Sequence, residues 1–386
     1  MLADTDAGNV VTGAQAGARW GYRLAPLVLL LIPMLYMVQE LALRLGIFSR
    51  RGHAELIRSN FGPVWAWVSV SGLAIAVAGS LVTEFTGIAG VGEIYAIPRG
   101  LSLAAAVALL AAVAASGTYR RTERAALAIG LFELAFFAVA WTALRHGAGF
   151  RRDFADIPLG NRTFLYLGAA IVGAVFNPWM IFYQQSAVIH KGLRPADYLA
   201  ARLDTAAGAV LTQLATAAVL VAAAATLGMN GSAGLQSVGA ISAALTPVLG
   251  GMAGRLVFSL GVLGAAMVAA VVSSLALGYG LNEVAGRRGS GQTDPFLKWR
   301  ARGLYAGFLF GCAALVWAMP NLVALNIAAQ VMNVFLLPLV IGLLVALSLK
   351  VLPVALKPRG WYLAALLGVS FAVTAFGFIG GILGML

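Results

Sequence analysis

Two short segments place polar side chains and helix-breaking residues inside otherwise apolar sequence. They are Asp6-Ala7-Gly8-Asn9 near the start and Gly173-Ala174-Val175-Phe176-Asn177-Pro178 in mid-chain. A glycine beside polar residues, or a proline inside an apolar run, interrupts the i to i−4 ladder and frees backbone carbonyls. In hydrocarbon such freed groups are tolerated only around a cavity, and ionisable or amide side chains at that depth are candidates for function. The carboxylate of Asp6 favours a cation, because a carrier of organic acids would more often turn helix N-termini and small residues toward its substrate.

These segments belong to a chain built for a bilayer. Of its 386 residues 61% are hydrophobic and 10% charged, and the mean hydropathy is +0.91. That balance excludes a soluble enzyme, a DNA-binding protein and a disordered chain. Ten apolar runs approach or exceed the ~20 residues a spanning helix needs. They lie at 25–45, 64–93, 100–117, 125–144, 163–189, 204–228, 246–283, 303–319, 323–349 and 361–385, with 246–283 read as one span and an interfacial end. The stretch from Asn9 to Trp20 is too short to cross alone and counts as half of a helix 1. Of the 26 Lys and Arg residues, 18 fall in one alternating set of loops, among them Arg44, Arg50, Arg51 and Arg58, and 8 in the other. The excess puts the first set in the cytoplasm, and the uncharged loop around Gly231 to Gly239 suits the outside. Because these cations are dispersed between apolar stretches, the net charge of +12 reads as topology and not as a nucleic-acid footprint.

No basic start followed by an apolar core marks a cleavable signal peptide. If the half helix is embedded, Met1 and Asp4 begin near mid-bilayer, at several kcal/mol per charge. Residues 1–24 are then either a solvated tail or the remainder of a helix 1 whose first half is missing. The two interrupted segments each open a set of five helices, about 1–145 and about 163–349, followed by an extra helix at 361–385, all within one transmembrane domain. The correspondence lies in hydropathy and break position, with no residue-level repeat. Interrupted helices at matching positions of two halves point to a transporter site near the midplane.

The run Asp6-Ala-Gly-Asn9-Val-Val-Thr-Gly-Ala-Gln15-Ala-Gly-Ala-Arg-Trp-Gly-Tyr22 resembles the Asp-Pro-Gly-Asn opening of the NRAMP divalent-metal transporters, which continues into Gln-Ala-Gly and Gly-Tyr. Gly173-Ala174-Val-Phe-Asn177-Pro178 resembles that family's broken helix 6, Gly-Ala-x-x-Met-Pro-His. The resemblance covers nearly the whole chain. It implies an all-α polytopic fold, the LeuT-type 5+5 inverted repeat plus one helix, working by alternating access. It also favours a missing first half of helix 1, since the family has a segment before the position of Asp6.

At the site, the resemblance implies a metal held by Asp6, Asn9, the carbonyl of Ala174 and Asn177. A helix 10 glutamine that approaches the ion in some conformations would be Gln330, eight residues before Pro338. Asn177 departs from the family's Met. An amide oxygen in place of a soft sulfur weakens discrimination against Mg²⁺ and Ca²⁺, and Mg²⁺, which keeps several waters, suits few carboxylates and some room. The NRAMP-related magnesium transporters also lack that Met, and the chain is similar to them; the alternative is that Asn177 only satisfies backbone freed at a proline kink. Proton-coupled members carry a His after the helix 6 Pro, and an Asp with a Glu three residues later on helix 3. Here Trp179, Glu84 and Gly87 stand at those positions, so two of three titratable groups are gone. The expectation is uncoupled transport of Mg²⁺ and/or Mn²⁺, drawn inward by about 2.3 kcal/mol per charge per 100 mV. The alternatives are a proton-coupled Mn²⁺/Fe²⁺ symporter, a LeuT-type organic solute carrier, and a truncated or defective copy.

Glu84 reads as a proton acceptor, a ligand to a water around the ion, or the partner of an Arg on a neighbouring helix. Gln184 and Gln185, on adjacent directions after the break, either line the ion path or bond between helices. Glu40, Glu133 and Glu283 lie toward helix ends, where hydration is easy. His53, His146 and His190 fall in or beside loops without metal-ligand spacing and read as solvated. Cys312 is a small buried hydrophobe, since a disulfide framework or thiolate cluster needs several cysteines. Arg120, Arg121 and Arg124 read as topology determinants and head-group contacts. No Walker A sequence is present, and no His lies near a Ser, Asp or Cys within the membrane, which argues against an enzyme. Expected partners are divalent cations and the lipid bilayer, with no cofactor, no nucleic acid and no obligate protein partner. The expected location is multi-pass in a bacterial inner membrane.

Overall fold

A computed structural model of the chain describes residues 6–116, 128, 131–146, 153, 157–227, 235–245, 251–286 and 299–386. The α-helices among them are α1 (Ala7–Trp20), α2 (Ala25–Ser49), α3 (His53–Phe61), α4 (Pro63–Ile94), α5 (Arg99–Ser116), α6 (Ala135–His146), α7 (Arg162–Val175), α8 (Pro178–His190), α9 (Tyr198–Leu227), α10 (Val238–Leu245), α11 (Gly251–Val284), α12 (Trp299–Ala318), α13 (Leu322–Val351) and α14 (Gly360–Met385). Eight helical stretches are long and apolar enough to cross a membrane, with α7 and α8 together forming one of them.

Burial separates the helices into an inner and an outer set. Residues Ala7 to Ala18 of α1 are all buried, and the α7 and α8 stretch is 89% buried, whereas α5 is 28% and α14 33% buried. The inner set carries the interrupted backbone and the outer set surrounds it, the distribution required when freed polar groups must be kept from hydrocarbon. Helix α1 packs against α9, α7, α4 and α13. Small residues allow this close approach: a Cβ on Gly17 would fall 2.0 Å from the Leu220 carbonyl oxygen, and one on Gly173 would fall 1.8 Å from that of Gln330. Such glycine contacts let helix backbones meet where no hydrophobic force between helices operates.

The structure differs from the sequence reading at several elements. The run at 125–144 is, over its described part, a 3₁₀ turn (Leu131–Leu134) followed by α6; its beginning lies outside the described residues, as do Arg120, Arg121 and Arg124. The described part of the run at 246–283 belongs to one helix, α11, which continues unbroken for 34 residues, about 51 Å at 1.5 Å per residue and so longer than one span needs. Gly239, read as outside loop, belongs to α10, and the basic loop after α2 folds into α3, which starts behind Gly52.

Gly17→Ala forces two backbones apart and is expected to destabilise the protein by about 1–3 kcal/mol. Gly311→Ala on α12 meets nothing within 4 Å and serves as a neutral control. Apparent melting temperatures in detergent compare the two variants.

Candidate functional site

Asp6 is the N-cap of α1. Its backbone is extended and its Oδ1 accepts from Asn9 N at 2.7 Å, satisfying one of the donors a helix start leaves unpaired. The side chain is fully buried. Its second contact comes from Asn9 Nδ2, 3.2 Å from Oδ1, and among the described residues Asp6 has no ion pair.

The break between α7 and α8 follows from Pro178. Proline has no N–H, so the carbonyl of Ala174 loses its i+4 donor, and the chain passes through Phe176 and Asn177 in non-helical geometry before α8 begins. Two side-chain amides reach that carbonyl instead, Asn9 Nδ2 at 3.3 Å and Asn177 Nδ2 at 3.2 Å. Asn177 Nδ2 also stands 3.5 Å from Asp6 Oδ2. Asp6, Asn9, Ala174 and Asn177, named from the sequence, therefore meet in one place. The N-termini of α1 and α8 meet there as well, and their dipoles favour negative charge.

Gln330 joins them from α13. It is fully buried, and its Nε2 lies 1.9 Å from where a Cβ on Gly8 would be, so a side chain at residue 8 would push the Gln330 amide aside. Two residues that the sequence reading did not single out complete the cluster. Asn333 Nδ2 donates to Asn177 Oδ1 at 2.6 Å and to Gln330 Oε1 at 3.1 Å. Asn326 Nδ2 donates to Thr86 Oγ1 on α4 at 3.0 Å. The signal was available: residues 326, 330 and 333 are spaced i, i+4, i+7 and share one helix face.

Glu84 on α4 is fully buried. It accepts from Ala7 N at 3.1 Å and from Thr83 Oγ1 at 3.2 Å, which brings its carboxyl to the residue next to Asp6. Two carboxylates thus lie side by side out of water. Neighbouring like charges repel unless a cation or a proton stands between them. Gly87, one turn further along α4, faces α1 so closely that a Cβ would lie 2.5 Å from that of Ala7, leaving no room for a carboxylate.

Gln184 and Gln185 lie apart from this cluster. Gln184 Nε2 reaches Thr205 Oγ1 at 3.4 Å, while Gln185 donates to the Arg51 carbonyl at 2.8 Å and its Oε1 is 2.9 Å from His53 Nδ1. Both tie the far end of α8 to neighbouring elements. Three expectations of hydration are corrected here. His53 is fully buried, against Phe182 and Gln185, and burial holds its imidazole down at about 4. Glu40 is fully buried; it pairs with Arg44 at 2.6 Å and accepts from the hydroxyls of Tyr198 and Tyr362. Glu283 is half-buried, taking Ala54 N at 2.9 Å and Ser186 Oγ at 2.7 Å. Each was misread because its place near a helix end hid the helix or loop packed over it. His190 is half-buried and stacks on Tyr279 at 4.5 Å; the side chains of Glu133 and His146 lie outside the described residues. Cys312 is buried, as expected.

These ties all sit at the end of the bundle that carries most of the basic residues. At the other end a cavity of about 450 Å³ opens between α1, α7 and α13, lined by Gln15, Arg19, Tyr166, Gln236, Asn321 and Ile327 among others.

A family profile described as natural resistance-associated macrophage protein-like, Nramp, matches residues 1–382. The chain belongs to the Nramp family. Among curated relatives it is 29% identical over 292 residues to the divalent metal cation transporter MntH of Klebsiella pneumoniae subsp. pneumoniae, covering 70% of this chain and 67% of the relative. It is 30% identical over 289 residues to MntH of Yersinia enterocolitica, covering 70% and 68%. These Nramp relatives are transporters, and the chain is a multi-pass membrane protein of that non-enzyme class. A crystal structure of the Eremococcus coleocola manganese transporter superposes with a TM-score of 0.74 at 16% identity, covering 98% of this chain and 84% of that one. Mhp1, a nucleobase-cation-symport-1 family transporter, gives 0.52 at 15% identity over 99% and 89%. The fold is therefore the Nramp variant of the LeuT arrangement.

His53 gives a pH prediction. A base whose folded pKa lies below its unfolded value of about 6.5 contributes stability that is complete above that pH and is lost as pH falls toward about 4. Between pH 7.5 and pH 5 the protein is expected to lose on the order of 1–2 kcal/mol from this group. The loss should be absent in His53→Phe, with thermal denaturation of both proteins at the two pH values as the measurement.

Proposed function

We propose that the chain carries divalent metal cations across a membrane by alternating access, with Asp6, Asn9, the Ala174 carbonyl and Asn177 as ion ligands. The observation that carries this reading is the convergence of a buried carboxylate, two amides and a proline-freed carbonyl where the start of α1 meets the break between α7 and α8. Membership of a family whose curated relatives are divalent metal cation transporters supports it.

The donor set is all oxygen once the amides turn toward an ion, and among the described residues no group of three His, Cys, Asp or Glu side chains converges. Oxygen ligands with few carboxylates suit Mg²⁺ and Mn²⁺ more than the softer metals. Trp179 and Gly87, which replace titratable residues of the coupled family pattern, support transport that is not tied to protons. A second reading, proton-coupled Mn²⁺/Fe²⁺ symport, draws support from Glu84 beside Asp6, a pair that a single proton would also stabilise. The bacterial relatives favour an inner membrane, and the two sets of five helices, 1–145 and 163–349, would supply the rocking halves.

Uptake into proteoliposomes with an internal pH dye separates these readings. Entry of both Mg²⁺ and Mn²⁺ without acidification, reduced at least about 100-fold in Asp6→Ala by loss of the charged ligand, is the expected result. Acidification that tracks uptake and disappears in Glu84→Gln would establish the coupled reading instead.

A further inference from the structure

The polar face of α13 beside the break holds more hydrogen-bonding capacity than the arrangement described above uses. Asn333 Nδ2 has three acceptors within reach, Asn177 Oδ1 at 2.6 Å, Gln330 Oε1 at 3.1 Å and the Gly173 carbonyl at 3.3 Å, for only two hydrogens. Meanwhile Asn333 Oδ1 and Gln330 Nε2 are buried without a partner among the described residues. Unpaired buried amide atoms are rare in native structures and call for a reason.

The reason lies in what an amide can do. Turned by half a revolution about its terminal torsion, it exchanges its oxygen and nitrogen in nearly the same volume. As described, Asn177 points Nδ2 at the Ala174 carbonyl and toward Asp6 Oδ2, so an N–H dipole stands where positive charge is favoured. Turning Asn177, Asn333 and Gln330 together creates a second network. Asn177 and Gln330 then both donate to Asn333 Oδ1, their own oxygens face Asp6 and Gly8, and the two atoms unpaired in the first network gain partners. The bonds given up are that of Asn333 to the Gly173 carbonyl and those of Asn177 to the Ala174 carbonyl and Asp6, whose oxygens are then left to an ion. An oxygen turned toward a carboxylate is repelled unless a cation lies between them, so the second network belongs to the ion-bound site.

We propose that Asn333 is the positioning residue of this amide relay: it holds Asn177 and Gln330 with N–H groups inward in the absence of ion and with oxygens inward around a divalent cation. The proposal rests on the reading of Asp6, Ala174 and Asn177 as ion ligands. It also ties the α13 helix to site occupancy, because Asn333 contacts no ion itself. The relay exists only because residue 177 is an amide, since a thioether has no N–H₂ end to place.

That dependence supplies the test. Mn²⁺ binding to the purified full chain in detergent is followed by the paramagnetic resonance signal of free Mn²⁺, for wild type, N333L, N177M and the double variant N177M/N333L. The relay predicts that N333L weakens binding about tenfold beside Asn177, as for one lost hydrogen bond, and by less than about twofold in the N177M background. An equal loss in both backgrounds, or no loss beside Asn177, overturns the relay while leaving the site reading intact. If N333L does not fold, the isosteric N333D carries the same cycle. Its acceptor-only carboxylate keeps both amides turned inward by their oxygens, so the gain in Mn²⁺ affinity should be larger beside Asn177 than in the N177M background. Equal gains, arising from charge alone, overturn the relay. A wild-type chain that binds no Mn²⁺ overturns the site reading and the relay with it.

Discussion

The interaction on which the molecule depends is the burial of the Asp6 carboxylate with no basic side chain to neutralise it among the described residues. A charge in that position is expensive in any apolar surrounding, so the surroundings must be rich in dipoles. They are supplied by broken backbone: the first N–H groups of α1, the start of α8 and the amides that gather at the Ala174 carbonyl. Broken backbone in turn needs shielding, which explains why α1, α7 and α8 occupy the interior while α5 and α14 surround it. The glycines at 8, 17 and 173 have the same origin, since each lets a neighbouring backbone or amide come closer than a Cβ permits.

The two ends of the bundle are built differently around this point. At the basic end, Arg44 joins Glu40 to the Leu356 carbonyl, Tyr198 and Tyr362 close over Glu40, and α8 is fastened through Gln185 and Ser186 to Arg51, His53 and Glu283. These bonds connect α2, α3, α8, α9, α11 and α14, so passage to the proposed ion site from that side requires several of them to part together. The other end has the open cavity, whose wall residue Ile327 lies one helical turn before Gln330. Discrete networks of this kind have two arrangements and little between them, which is the property an alternating-access carrier needs.

Much of this was readable from sequence because its causes are local. Apolar runs, basic loops and helix-breaking residues are properties of short segments, so the spans and the break at Pro178 could be placed, and so could Asp6, Asn9, Ala174 and Asn177. The errors have a common cause in long-range packing. Glu40 and Glu283 look hydrated when only their own helix is considered; Glu40 is fully buried under Tyr362, 322 residues away, and Glu283 is half-buried and held by Ser186, 97 residues away. His53 sits in a basic loop by sequence and in an apolar pocket by structure.

Residue type and spacing alone determined that the chain spans a bilayer and that it breaks at Pro178 beside a polar residue, and the family resemblance added that residue 177 offers an amide where the pattern has sulfur. Only the tertiary structure decided that Glu84 lies against Asp6, that Gly87 is filled by Ala7, and that Asn333 holds Asn177 from 156 residues away. The division follows the range of the forces involved. Helix formation and membrane insertion depend on neighbours within a few turns, whereas the pairing of buried polar groups depends on which helices the fold brings into contact.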